Sequence, residues 1–272
     1  MPLLSIIIPA LNEEKYLPKL LGSIRAQSFT DYEIIVADAH SSDRTREIVR
    51  LFHGRVVDGG LPSVGRNAGA RVARGKFFLF LDADVILPKR TMLARLVAEF
   101  ERRKLDIATC LLRPLTKNVI DHALHAAYNI YTVAIQKLVP HIPGFFIFVR
   151  RTTHEKIGGF DETLDFAEDH EYARRAVRNG KAQFGFLLAS LAYVSPRRFD
   201  RDGRLSIAVK YMLGELYLLK LGRVPPGTIA YGWGHGGKKN ARGLKELKYL
   251  AHELWRNGKY LFAKQPNSRR DK

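Results

Sequence analysis

The stretch Phe77-Phe78-Leu79-Phe80-Leu81-Asp82-Ala83-Asp84 decides how this chain reads. Five consecutive apolar residues predict a strand covered on both faces, as in a parallel sheet. Two carboxylates follow, one residue apart. Charges at the end of such a strand belong at the carboxyl edge of the sheet, where open α/β folds bind their ligands. Asp82 and Asp84 placed there suit a hard divalent cation held against a diphosphate. A solvated turn after the strand is the plainer reading of the same residues.

Outward from this stretch, the first hundred residues alternate strand and helix. Strands are expected over 3–8, 32–37, 55–57 and 77–81. Leu17, Leu20, Leu21 and Ile24 recur at helical spacing. Ser41, Ser42 and Asp43 offer N-cap chemistry for a helix through about residue 50, and 64–73 reads as a third helix. Such alternation implies a parallel sheet with right-handed crossovers. The second half is less regular. Helices are expected over 91–103, 119–138 and 168–178, the last ended by Asn179-Gly180. Strands are expected over 107–112, 145–149, 184–188 and 191–194.

After Pro196 the character changes. Residues 205–221 and 243–257 are basic amphipathic helix candidates, separated by a Gly/Pro-rich stretch over 222–237 that reads as a loop. The expected division is a main domain over 1–200, with a first half to about 100 and a second half from 101. A helical extension over 201–264 and a frayed tail over 265–272 complete it.

The chain has 272 residues, 46% of them hydrophobic, which suffices for a buried core and excludes wholesale disorder. The formal charge of +18 is uneven. Residues 1–100 carry 14 Lys/Arg against 11 Asp/Glu, whereas 197–272 carry 18 against 6. Such a surface attracts anionic partners: nucleic acid, anionic lipid or phosphorylated acceptors. The basic helices are equally readable as lying on a membrane surface or as packing back onto the domain. Cys110 is the single cysteine, so no internal disulfide forms, and it reads as a buried structural thiol. No signal peptide and no bilayer-length apolar run is read from the sequence, which points to a cytoplasmic protein, peripheral on the membrane at most.

Polar residues recur at four places expected to share one sheet edge. They are Pro9-Ala10-Leu11-Asn12-Glu13-Glu14, Asp38-Ala39-His40-Ser41-Ser42-Asp43, Gly65-Arg66-Asn67-Ala68-Gly69 and Asp82-Ala83-Asp84. With Ile157-Gly158-Gly159-Phe160-Asp161-Glu162 and Glu168-Asp169, these pieces resemble, in order and spacing, the family 2 glycosyltransferases. The likeness covers about residues 3–195. It implies the GT-A fold, a mostly parallel central sheet flanked by helices, here with a helical basic C-terminal extension.

The resemblance further implies a metal-dependent, inverting transfer of a sugar from a UDP- or GDP-type donor to a hydroxyl or phosphate acceptor, lipid-linked or glycan, with Mn²⁺ or Mg²⁺. Pro9, Ala10, Asn12 and Glu13 match the loop beside base and ribose, and Asp38 the acid at the base. Arg66 matches a basic residue near the nucleotide. Asp82 and Ala83 match the ribose side of the metal motif, and Asp84 the metal ligand. Asp169, with Glu168 beside it, matches the general base. At the start of a helix, these two carboxyls would be held ionised by the helix dipole.

Plainer readings of these residues are helix-start chemistry for Asn12, Glu13 and Asp38, a surface charge for Arg66, and first-turn acids for Glu168 and Asp169. The sequence departs from the family pattern at Ala39, where a second Asp is common. It departs again at Tyr193-Val194-Ser195-Pro196-Arg197-Arg198-Phe199, where a metal-binding His is common. Arg197 and Arg198 are candidates for the diphosphate in its place, or ordinary surface charges. Phe145 is a candidate wall of the acceptor pocket, while Phe146 and Phe148 read equally as core. His235 carries no assignment. A nucleotidyltransferase would need a Gly-rich basic loop where Pro9 to Glu13 stand. A nucleic-acid-binding protein would account for the charge but not for acids at a ligand edge.

Overall fold

A computed structural model describes residues 1–229. The helix candidate 243–257, His235, the tail 265–272 and the second half of the Gly/Pro-rich stretch lie outside the described residues. Strand and helix alternate through β1 (Leu4–Ala10), α1 (Leu17–Arg25), β2 (Tyr32–Asp38), α2 (Thr45–Leu51), β3 (Arg55–Asp58), α3 (Pro62–Val72) and β4 (Phe77–Leu81). Then come β5 (Val85–Ile86), α4 (Met92–Arg102), β6 (Ile107–Pro114), α5 (Val119–Ile135), β7 (Phe146–Arg150) and α6 (Arg151–Lys156). The described chain closes with α7 (Glu168–Arg178), β8 (Phe184–Val194), α8 (Arg197–Asp202) and α9 (Arg204–Leu221).

Among the described residues the strands form one sheet in the order β3-β2-β1-β4-β7-β6-β8-β5. The four strands of the first half are mutually parallel. β7 is antiparallel to both β4 and β6, and β6 runs parallel to β8. Strands 184–188 and 191–194 are one strand, with a register shift opposite Cys110/Leu111. The irregularity absorbs extra residues without ending the ladder.

The strands alternate between two cores. Leu4, Ile6 and Ile8 of β1, with Phe77, Leu79 and Leu81 of β4, pack with α1, α2 and α4. Ile7, Phe78 and Phe80 point the other way, toward α3 and α7. Period-two alternation within a fully apolar run is what a sheet covered on both faces requires. Cys110 is buried within β6.

α3 can approach β1 closely because two glycines face it. A Cβ on Gly65 would stand 3.2 Å from Pro9 Cβ, and one on Gly69 only 2.4 Å from Ile7 Cγ2. Gly69→Ala is therefore expected to cost about 1–3 kcal/mol, since Ile7 is a stiff β-branched residue inside the sheet and cannot turn away. A denaturation midpoint equal to wild type would show that the helix shifts freely.

α9 packs back onto the domain: Leu213, Tyr217 and Leu218 join Phe166, Val224 and Ile229 in a separate small core. Ile207 is also buried, whereas Leu205, Met212, Leu216 and Leu221 are exposed. No helix among the described residues is long and apolar enough to cross a membrane.

Candidate functional site

The order β2-β1-β4 places the loops after three parallel strands beside one another, at the point where the strand order reverses. The first two loops are stapled together. The backbone N–H of Asn12 donates to Ser41 Oγ (2.8 Å), Ser42 N–H donates to Asn12 Oδ1 (2.8 Å), and Glu13 N–H donates to Thr45 Oγ1 (2.8 Å). Asn12 holds a φ of 54°, a left-handed conformation that asparagine tolerates. α1 starts only at Leu17 and α2 at Thr45, so Asn12, Glu13 and Asp38 are loop and strand-end residues rather than helix caps. Of the expected capping group, Asp43 does accept from Thr45 N–H (2.9 Å), whereas Ser41 and Ser42 serve the inter-loop staple.

Asp38, fully buried, takes Arg46 Nε on one oxygen (2.7 Å); its other oxygen, Oδ1, has no hydrogen-bond partner. Beside it Pro9 and Ala10 end β1, and Ala10 pairs with Asp38 in register. These atoms leave a polar, half-satisfied group at the ends of β1 and β2.

A second cluster hangs on Arg197. Its guanidinium grips Glu13 with two hydrogen bonds (2.8 and 2.9 Å) and Asp84 Oδ2 through Nε at 2.6 Å, while stacking over Tyr16. Ala83, buried, holds the turn between the two aspartates. Burial pushes the Asp84 carboxyl up to about 6, against the pull of Arg197 and with a push from Asp82 and Glu13. Asp84 Oδ1 is buried without a hydrogen-bond partner. Arg197 is thus no ordinary surface charge; the short helix α8 after Pro196, unmarked by any periodic pattern, aims it at the carboxylates.

The third cluster is built on Gly65-Arg66-Asn67, in the first turns of α3, where Arg66 is fully buried rather than the surface charge of the plainer reading. Its Nη1 donates to Glu168 (2.7 Å), and its Nη2 donates to Asp82 (3.1 Å) and to the Gly144 carbonyl (3.3 Å). Its guanidinium lies over the Phe160 ring. Burial opposes the Arg66 charge, but Asp82, Glu168 and Asp169 outweigh it, and the group stays above its ordinary pKa. Asn67 locks the turn that carries Phe160, donating to the Phe160 carbonyl (2.9 Å) and accepting from its N–H (2.9 Å). That turn needs glycine: Gly159 has φ 73°, and a Cβ there would lie 2.6 Å from Asn67 Oδ1. The Arg-Asn pair and the Gly-Gly-Phe turn are thus two halves of one joint, a link that linear spacing does not reveal.

Asp169 Oδ2 accepts from Gly144 N–H (2.5 Å), and Oδ1 accepts from His170 N–H (2.8 Å). Burial raises both Glu168 and Asp169 above the ordinary carboxylate range, against the pull of Arg66 and of the helix start; the neighbouring charge of Asp169 adds to the rise at Glu168, and that of Asp82 to the rise at Asp169. Just before them Ala167 adopts a left-handed conformation (φ 57°), costing about 1–2 kcal/mol and turning the helix start inward.

Arg66, Asp82, Glu168 and Asp169 line one end of a cavity of about 310 Å³. Phe145 walls it, as expected, whereas Phe146 and Phe148 belong to the core. Arg198 lines the same cavity. Tyr128, His170 and Glu215 also reach it from α5, α7 and α9; the sequence offers no signal for them, because three separated segments meet only in the fold. His141, His170 and Glu215 bring one ligand atom each within 4.8 Å of one another. Glu215 already accepts from His141 Nε2 (2.5 Å) and faces Arg174 at 3.9 Å, whose charge opposes a cation there. Asp84 and Asp82 are likewise each held by an arginine, Arg197 (2.6 Å) and Arg66 (3.1 Å), and one buried Asp84 oxygen, Oδ1, makes no hydrogen bond.

Residues 5–158 match the family model described as glycosyl transferase family 2. The chain is 34% identical over 238 residues to a poly(ribitol-phosphate) beta-N-acetylglucosaminyltransferase, TarS, of Staphylococcus aureus, covering 78% of this chain and 41% of that protein. It thus spans about two fifths of the length of this curated relative. In fold it is similar to residues 1–349 of TarS crystallised with UDP-GlcNAc (TM-score 0.58, 20% identity, 97% of this chain and 76% of that one). It is also similar to a mannosyltransferase of Pyrobaculum calidifontis crystallised with GDP-Man and Mn2+ (TM-score 0.65, 19% identity, 97% and 77%).

Proposed function

The chain belongs to glycosyl transferase family 2, and on that premise we propose that it moves a sugar from a UDP- or GDP-type nucleotide sugar to an acceptor hydroxyl, with inversion at the sugar carbon. One observation carries the reading: Asp169 and the Arg66–Asp82 pair share the end of a single cavity, beside the loop that follows β4. Base, ribose and diphosphate would lie against Pro9, Ala10, Asn12, Glu13 and Asp38, continuing past Ala83. Asp38 Oδ1 is poised there as an unsatisfied acceptor for a base or ribose donor.

Asp84, with Asp82, would hold a divalent cation, Mn²⁺ or Mg²⁺. The buried, unengaged Asp84 Oδ1 and the all-oxygen donor set fit such an ion. When bound, it neutralises charge growing on the departing diphosphate. Arg197 shares Asp84 with that seat and fixes Glu13 beside it, and Arg198 faces the cavity from the same helix. Arg66 spaces Asp82 from Glu168 and keeps both carboxylates oriented. Asp169 accepts the proton of the incoming hydroxyl. With a single base and direct displacement, the anomeric configuration inverts.

A thermal-shift panel of UDP-, GDP- and dTDP-sugars, with and without Mn²⁺, tests the reading. The cognate donor at saturating concentration should raise Tm by about 5 °C or more. Asp84→Ala should remove the Mn²⁺-dependent part of that rise and abolish metal-dependent turnover, while the unliganded protein still melts cooperatively. No rise with any donor would sink the assignment, and a Mn²⁺ response retained in the variant would remove Asp84 from the cation seat.

A further inference from the structure

We propose that the acceptor is a neutral alcohol on an apolar skeleton, its body filling the 310 Å³ cavity and its hydroxyl meeting Asp169. The proposal rests on the sugar-transfer reading above and names the substrate class of that site.

Beyond its charged end the cavity is walled by side chains such as Leu112, Leu124, Phe145, Ile207, Tyr211 and Met212. These walls are mostly apolar and supply few hydrogen bonds. A polyhydroxylated acceptor buried there would forfeit its bonds to water at about 1–3 kcal/mol for each group left unmatched. An apolar body gains about 25 cal/mol for each Å² it removes from water. Several polar groups on the walls are already engaged. His125 Nδ1 is bonded to the Asp121 carbonyl (2.8 Å), and Arg204 grips the Asp121 carboxylate (2.6 and 2.9 Å).

The charged end argues for a neutral head. Asp82, Glu168 and Asp169 meet there, and Arg66 is committed to the first two. A phosphate would be repelled by the three carboxylates. A phosphate acceptor is also already anionic and needs no base, whereas a hydroxyl must lose its proton, which Asp169 can take. In the reaction the acceptor oxygen forms its bond to the sugar carbon. The bond from that carbon to the diphosphate oxygen breaks, its electron pair leaves on the diphosphate, and the hydroxyl proton passes to Asp169.

The test uses the full chain with its best donor from the thermal-shift panel, and geraniol, 4-butylphenol, geranyl phosphate and methyl glucoside as acceptors. Either apolar alcohol should be glycosylated with a kcat/KM at least about tenfold above that of methyl glucoside. Geraniol should also outperform geranyl phosphate. Ala208→Trp, which places a large ring at an exposed position on the cavity wall, should raise KM for geraniol at least about tenfold. A preference for methyl glucoside or geranyl phosphate, or an unchanged KM in the variant, would overturn the proposal. Donor consumption separates the two levels. Donor hydrolysed by water while neither alcohol is accepted would sink this inference alone. Donor untouched in every arm would sink the transfer reading, and calorimetric titration with geraniol then still tests the cavity, where absence of binding is the adverse result.

Discussion

Replacing Asp169 by asparagine is expected to lower transfer by about 10²- to 10⁴-fold while donor binding persists. Asparagine keeps an oxygen for the Gly144 N–H that anchors the wild-type side chain, so the start of α7 should stay in place. It cannot accept the acceptor proton. The wild-type pH profile gives the same group a signature. A base works deprotonated, and burial has raised the Asp169 carboxyl above its ordinary value near 3.9. The rate should therefore climb with pH on an acid limb displaced upward from that value. The direction follows from the sign of the shift: protons must leave before the base can act, and a raised pKa delays their leaving. Transfer near wild-type speed in Asp169→Asn would place the base elsewhere.

Arg66→Leu should be the most destabilising single change in the site. It removes the cation held between Glu168 and Asp82 and leaves their carboxylates, with Asp169, facing one another in a buried pocket. Breaking one side of a buried ion pair costs about 3–5 kcal/mol, which lowers the Tm of a domain of this size by roughly 6 to 20 °C. Adding Glu168→Gln to Arg66→Leu should recover part of the loss, because one of the stranded charges is gone. Equal melting of Arg66→Leu and wild type, or no recovery in the double variant, would mean that the network contributes little to folding.

The elements of the first half were legible because two rules act locally there. Apolar runs such as Phe77 to Leu81 name a doubly covered strand, and the intervening periods of 3.6 name helices. Asp82 and Asp84 stand out because paired carboxylates at the end of a doubly covered strand have few structural reasons to be there, whereas Asp169 stands out only through the family resemblance, since acids are common in a helix's first turn. The partners of Arg66 are not legible in the sequence. A guanidinium on a helix is usually solvated, and nothing within ten residues of it announces that Glu168, about a hundred positions on, will neutralise it. The pull of the helix dipole on Asp169 was likewise a local rule, overridden by burial among other acids. Arg197 stayed ambiguous between surface and site because α8 is one short helix with no periodic face.

The amino-acid order by itself determined that the first half forms a parallel α/β sheet, that β4 is buried on both faces, and that acidic residues stand at its ligand edge. These follow from periodicity and from the cost of burying charge, both of which act over a few residues. Only the tertiary structure decided which charges neutralise which, how far burial raises the carboxyl groups, and that α5, α7 and α9 close an apolar cavity over Asp169. Those outcomes depend on distances between segments far apart in the chain, and electrostatic energy depends on such distances and on exclusion of water, neither of which a linear pattern records.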